Sequence, residues 1–256
     1  MKIVVIGDSG IIGTKLANRL RQQRHEIVAA SANSGIENLS GKVLARALQG
    51  AQVIIDVSNA PSFGERAVPE QVDASSCKVL AKEAPPGVAH HVALSVVGIE
   101  RHPENSYCRA KLVQEQLIKA SNIPFTIIRS TQFFESVWTI VQSSTVGERV
   151  HLSPALFQPV SSDDVADAVA EVAVGMPLNR IVEIAGPERL PIDEFVRQYL
   201  HAAKDPRTAI PDVHARFFGA ELDDLSLTPG DNPMIGQIRF EDWLRTVCEA
   251  SHHPEC

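Results

Sequence analysis

A few residues in this chain have the types and spacing that chemistry needs. Gly7-Asp8-Ser9-Gly10-Ile11-Ile12-Gly13 follows a short apolar run and precedes a stretch with helical spacing. Glycines there let the chain turn tightly, let its backbone approach a pyrophosphate, and let the helix start close against the strand. The helix start then offers unpaired N–H groups and a partial positive charge to phosphate oxygens. The spacing is G-x-x-G-x-x-G, and Thr14 stands between the last glycine and Lys15, so this is not a nucleotide-triphosphatase loop. Tyr107 and Lys111 lie four apart on an expected helix and so share a face. A lysine ammonium beside a phenol is expected to lower the phenol's pKa from about 10. Such a tyrosine can exchange a proton with a carbonyl oxygen while hydride moves. Ser95, twelve positions before Tyr107, ends an expected strand and can hold the substrate oxygen.

The chemistry of the second strand end bears on the ribose. Ala29-Ala30-Ser31-Ala32-Asn33-Ser34 has no carboxylate for a 2′-hydroxyl and no arginine for a 2′-phosphate. Ser31, Asn33 and Ser34 can donate to a 2′-phosphate, which favours NADP, with NAD as the alternative.

These residues need elements to position them. Strands are expected at 3–6, 26–30, 53–57, within 88–97, at 125–128 and at 180–185. Helices are expected at 11–23, 44–48, 70–84, 106–120, 192–202 and 240–247, with another running to residue 174 from a cap at Ser162 or Asp163. Alternation to about residue 130 predicts an α/β fold with a doubly wound parallel sheet. The stretch 204–232 is rich in Pro, Asp and Gly and predicts no element.

The 256 residues carry 24 basic and 31 acidic side chains, a net charge of −7, which argues against a nucleic-acid partner. Cys77, Cys108, Cys248 and Cys256 have no metal-type spacing and read as reduced thiols of a cytoplasmic protein. The first apolar run is too short for a signal peptide or a membrane span. A small-molecule substrate and a monomer or homodimer are expected.

The ordered set Val5-Ile6-Gly7-Asp8-Ser9-Gly10-Ile11-Ile12-Gly13, Ala93-Leu94-Ser95-Val96-Val97-Gly98, Tyr107-Cys108-Arg109-Ala110-Lys111 and Ile123-Pro124-Phe125-Thr126-Ile127-Ile128-Arg129 resembles an atypical short-chain dehydrogenase/reductase. The nearest branch is the NmrA-like, NAD(P)H-binding group. The resemblance spans roughly residues 1–200 and implies a Rossmann-type fold, with a dinucleotide-binding core at 1–135 and a small C-terminal substrate lobe at 136–256, of which 180–185 returns to the core sheet. It implies that Gly7, Gly10 and Gly13 bind pyrophosphate and that Lys111 also bonds the nicotinamide ribose. It implies that Ser58, Asn59 and Ala60 pass beside the cofactor, and that Ser130-Thr131-Gln132-Phe133 flanks the nicotinamide. Many relatives carry an arginine after the second strand, and this chain does not. Some NmrA-like members lack the tyrosine and sense the cofactor without turnover. Tyr107 and Ser95 favour an enzyme acting on a small carbonyl or quinone-like substrate. The rivals are a redox sensor and an epimerase that retains its cofactor, against which the C-terminal part looks short for a nucleotide-sugar site.

Other features have plainer readings. His90 and His91 point to opposite faces of a strand, which disfavours a shared metal. Asp163 and Asp164 suit a helix N-terminus. Phe133, Phe134, Val137, Trp138 and Val141 form one helical stripe, lining either an apolar pocket or the core.

Overall fold

The computed structural model describes residues 1–30, 46–58 and 87–250. In chain order its elements are β1 (Lys2–Ile6), α1 (Ile11–Gln22), β2 (Glu26–Ala30), β3 (Val53–Asp56), β4 (His90–Val96), α2 (Ser106–Ala120) and β5 (Phe125–Ser130). There follow α3 (Val137–Ser144), β6 (Thr145–Val146), β7 (Arg149–Leu152), β8 (Leu156–Phe157), α4 (Ser162–Val174) and β9 (Arg180–Ala185). The last are β10 (Leu190–Pro191), α5 (Ile192–Ala202), β11 (Thr208–Pro211), β12 (Met234–Ile235) and α6 (Phe240–Ala250).

Continuous apolar runs make strands that are covered on both faces. Val4, Val5, Ile54 and Ile55 accordingly have no exposed surface. A seven-stranded sheet has the order β12-β9-β5-β4-β3-β1-β2. β1 pairs in parallel with β2 on one side and β3 on the other. The strand order therefore reverses between β1 and β3. In open parallel sheets, the carboxyl ends of the strands at such a reversal frame a crevice where ligands bind. The glycine loop leaves β1 there, and Ser58 follows β3 there.

The chain divides into two compact units. The first comprises Met1–Arg129 with Val165–Val182, and the second Ser130–Asp164 with Glu183–Cys256. The boundary expected at residue 135 falls at residue 129, and most of α4 joins the first unit. Inside the second unit, Phe134, Phe157, Phe195 and Phe240 form the core, with Phe195 and Phe240 ring centroids 4.0 Å apart.

Several boundaries differ from the sequence expectation. The strand expected at 53–57 ends at Asp56, and that expected at 125–128 continues to Ser130. Ser162 is the first residue of α4 and not its cap, because the Ser161 hydroxyl accepts from the Asp163 N–H at 3.1 Å. Stretch 204–232 contributes β11, paired in parallel with β7. The helix expected at 70–84 and part of that at 44–48 lie outside the described residues.

Candidate active site

The turn after β1 is built from backbone alone. Gly7 has φ +86°, a left-handed conformation that favours glycine. Its N–H donates to the Ala30 carbonyl at 3.1 Å, and its own carbonyl accepts from Gly10 N–H at 3.1 Å. A Cβ on Gly7 would stand 2.7 Å from Ser58 N. A Cβ on Gly13 would overlap the Gly7 carbonyl oxygen and stand 2.6 Å from Asp8 Cα. Gly10, by contrast, has room, since its nearest neighbour would be the Gly7 oxygen at 3.4 Å. α1 starts with no side-chain cap and no acidic residue in its first turn. Its first N–H groups and the positive end of its dipole thus stay available to an anion. Ser9, Gly10 and Ile11 are exposed, whereas Ile12 packs into the core. Asp8 Oδ1 is buried without a hydrogen-bond partner among the described residues.

α2 positions the tyrosine and the lysine. Asn105 caps it, its side-chain oxygen accepting from Tyr107 N at 2.9 Å and Cys108 N at 3.2 Å. Tyr107, Lys111, Gln114, Glu115 and Ile118 fall on its buried face. Lys111 is 2% exposed, and its Nζ donates to Ser58 O at 3.0 Å, Leu94 O at 3.2 Å and Gln114 Oε1 at 3.1 Å. Burial, and secondly Cys108, raises the Tyr107 phenol pKa above its ordinary value. This corrects the expected lowering by Lys111: removal from water raises the phenol, and the Lys111 ammonium is directed at other oxygens. Burial also pushes the neighbouring Cys108 thiol up to about 11, so it stays protonated at neutral pH.

Ser95 is buried, and its hydroxyl has no hydrogen-bond partner among the described residues. It lies near Glu115, whose carboxyl sits in a buried ion pair with Arg129 at 2.8 Å. Burial alone would raise the Glu115 pKa. Hydrogen bonding from Arg129, the nearby Ser95 hydroxyl (close, but outside hydrogen-bond geometry), and the charges of Arg129 and Lys119 bring it below its usual range. Arg129 also reaches Glu100 at 2.8 Å. Strand alternation separates Ser95 from Leu94 and Val96. Val96 packs with Tyr107.

His90 and His91 are both buried. His90 Nε2 bonds with Thr126 Oγ1 at 2.9 Å, while both ring nitrogens of His91 are unpartnered among the described residues. Burial lowers the His91 pKa from 6.5 to about 4, against the opposing charge of Asp56. Between those values the unfolded chain takes up a proton that the folded chain refuses, so stability falls as the pH falls through this window. The expected loss is on the order of 3 kcal/mol. Urea midpoints measured from pH 7 to pH 4 should fall more steeply for the native chain than for His91→Met. Parallel curves would remove this account.

No family model and no curated protein matches this sequence. Solved structures do. MoeE5 in complex with UDP-glucose and NAD superposes with a TM-score of 0.73 over 97% of this chain and 98% of its own, at 16% identity. A short-chain dehydrogenase/reductase superfamily protein from Agrobacterium tumefaciens with bound NAD gives 0.67 over 98% and 97%, at 13% identity. UDP-glucose 4-epimerase from Thermotoga maritima with UDP-glucose gives 0.71 over 97% and 98%, at 14% identity. The fold is that of the short-chain dehydrogenases/reductases.

Within that short-chain dehydrogenase/reductase fold, the first unit holds the glycine loop, Ser58, Ser95, Tyr107 and Lys111. Thr131 and Phe133 belong to the second unit. There Thr131 N–H donates to Ile184 O at 3.0 Å, its hydroxyl is buried without a partner among the described residues, and Phe133 bridges to Val160. Ser31, Asn33, Ser34, Asn59 and Ala60 lie outside the described residues. The expected aromatic stripe divides: Phe134, Val137 and Val141 are core, whereas Trp138 is 46% exposed with the Arg207 guanidinium 5.3 Å from its ring centre. It therefore gives no support to an apolar pocket. Asp164 does more than favour the helix start, since its Oδ2 accepts from Ile238 N–H at 3.0 Å. Among the described residues, no group of three or more His, Cys, Asp or Glu is placed to hold a metal, and no helix is long and apolar enough to cross a membrane.

Sequence reasoning did not single out Asn105, Asp56 or Gln114. Asn105 was within reach, because asparagine immediately before a helix start is a strong capping signal. Gln114 lies three residues after Lys111 on the same helical face, which was a weaker cue.

Proposed function

We propose that this protein is an NAD(P)-dependent oxidoreductase acting on a carbonyl or alcohol carbon. The observation that carries this reading is the glycine floor beneath an uncapped helix start at the sheet's switch point. A Cβ on Gly7 or Gly13 would collide with the backbone of the turn and of Ser58, so these glycines let the helix start lie close to the strand ends, an arrangement that fits a diphosphate. The turn Gly7 to Gly13 would hold the pyrophosphate: Gly7 and Gly10 use their own amides to close the turn, with Asp8 between them, and the amides of Ser9, Ile11, Ile12 and Gly13 would face the ligand. Ser31, Asn33 and Ser34 would meet the adenosine ribose, and the lack of a carboxylate there favours NADP over NAD. Ser58, Asn59 and Ala60 would run alongside, Lys111 would bond the second ribose, and Thr131 and Phe133 would flank the nicotinamide.

The bound nicotinamide supplies or accepts the hydride. Tyr107 holds its phenolic proton at neutral pH, as any phenol does, and burial extends that state to higher pH; in the reductive direction it would pass that proton to the developing alkoxide. Ser95 is the candidate to orient the substrate oxygen on the strength of its place near the end of β4, twelve positions before Tyr107. A cytoplasmic monomer or homodimer with a small-molecule substrate accords with the composition.

A second reading concerns the substrate. The apparent shortness of the C-terminal part does not weigh against a nucleotide sugar: this chain covers 98% of the MoeE5 chain that was solved with UDP-glucuronic acid and NAD. A nucleotide-sugar reductase or epimerase therefore stands beside the small-carbonyl or quinone-like substrate. Calorimetric titration with NADPH and NADH in parallel tests the shared claim. Saturable one-site binding of at least one coenzyme is expected, tighter for NADPH. Failure of both to bind the folded protein would end this reading. Net coenzyme oxidation on a carbonyl panel, against coenzyme-neutral conversion of UDP-sugars, separates the two substrate classes.

A further inference from the structure

Lys111 is connected to a buried carboxylate, Asp56, through two other residues. Asp56 is fully buried at the end of β3. Its Oδ1 accepts from Ser58 N–H at 3.0 Å and from the Ser58 hydroxyl at 2.6 Å. Its Oδ2 accepts from Gln114 Nε2 at 3.0 Å. Both Ser58 and Gln114 then present an oxygen to the Lys111 ammonium, at 3.0 and 3.1 Å. The four residues close a ring of hydrogen bonds in which only one polarity works. An amide can turn either its oxygen or its NH2 towards a neighbour, and a carboxylate accepts only. Because Asp56 takes the Gln114 NH2, the Gln114 oxygen must face the lysine. A buried ammonium needs such oxygens, since one left without acceptors is strongly disfavoured. His91, beside Asp56, is neutral at neutral pH and brings no competing positive charge.

We propose that Asp56 is a positioning residue for Lys111, acting through the Gln114 side chain and the Ser58 peptide to hold the ammonium where it meets the nicotinamide ribose. The ribose contact rests on the function proposed above; the hold on Lys111 does not.

The test uses Asp56→Asn, Gln114→Met and the double variant Asp56→Asn/Gln114→Glu, each checked for native circular dichroism. Asparagine at 56 can donate to position 114, which turns the glutamine's NH2 towards the ammonium. The double variant moves the negative charge to position 114 and restores an acceptor facing Lys111, while the asparagine oxygen still serves Ser58.

Lys111 acetylation by N-hydroxysuccinimide acetate, followed by mass spectrometry on the coenzyme-free protein, is expected to run about tenfold faster in Asp56→Asn and Gln114→Met. The double variant should return towards the native rate. NADPH affinity should fall about tenfold in the single variants and recover in the double. ADP, which reaches the glycine cradle but carries no nicotinamide ribose, should bind all four proteins alike. A merely structural role would weaken ADP and NADPH together and would not be rescued by the charge swap. Native labelling rates in both folded single variants, or a double variant no better than Asp56→Asn, would overturn the proposal. Should Asp56→Asn not fold, Gln114→Met alone decides by the same readouts. If the native chain binds neither nucleotide, the proposed function fails, and the labelling rates still decide the hold on Lys111.

Discussion

Gly13→Ala is expected to abolish coenzyme binding and lower stability together. The added Cβ would overlap the Gly7 carbonyl oxygen and stand 2.6 Å from Asp8 Cα and 2.9 Å from Asp8 C. All three neighbours are backbone, so no side chain can swing aside. Either α1 lifts from the loop or the loop opens, and each movement spoils the cradle. Overpacking of this kind typically costs about 1–3 kcal/mol. Affinity for either coenzyme should fall by about 100-fold or more, because several main-chain donors lose their aim together. Gly10→Ala is the internal comparison: its Cβ would meet only the Gly7 oxygen at 3.4 Å, so its urea midpoint should stay near native. Native affinity and a native midpoint in Gly13→Ala would show that the loop is not the cradle described.

The second large effect belongs to Tyr107→Phe. The phenol is the proton donor in the proposed reaction, and losing a positioned acid typically costs about 10²–10⁴ in rate. Phenylalanine keeps the ring that packs against Val96 and Ala110, and the capping bonds of Asn105 go to backbone. Coenzyme affinity and melting temperature should therefore hold while reductive turnover collapses. The direction of the phenol's shift adds a pH signature. Burial raises its pKa above the ordinary value of about 10, so the donor form persists through neutral and mildly alkaline pH. Reductive turnover should be flat across that range as far as this group is concerned. An acid limb is not expected from it. Unchanged turnover in Tyr107→Phe, measured on whichever carbonyl substrate the native protein reduces, would remove the assignment and favour a coenzyme-sensing role.

Local order was legible because local rules produce it. The apolar run before Gly7, the spacing of Ile12, Leu16 and Leu20, and the turn chemistry after β1 each depend on residues a few positions apart. Helix bounds at Ser106–Ala120 and Ile192–Ala202 and strand bounds at Glu26–Ala30 and Arg180–Ala185 match the sequence expectation for the same reason. Trp138 departs from the expected stripe because it stands about 100° round α3 from Val137, so that Val137, Ile140 and Val141 face the core and Trp138 does not.

By itself, then, the sequence determined the alternating strands and helices, the glycine turn, and the placing of Tyr107 and Lys111 on one helical face. Only the tertiary structure decided what those side chains meet. Lys111 bonds Ser58, which lies 53 positions away, and Gln114 bonds Asp56, which lies 58 away. Such pairs form because β3 and β4 lie side by side in the sheet and α2 is close to both, and no local spacing specifies that neighbourhood. The same holds for the protonation of Tyr107. The four-residue spacing suggested a charge that would lower its pKa, whereas the depth of the fold around it raises it.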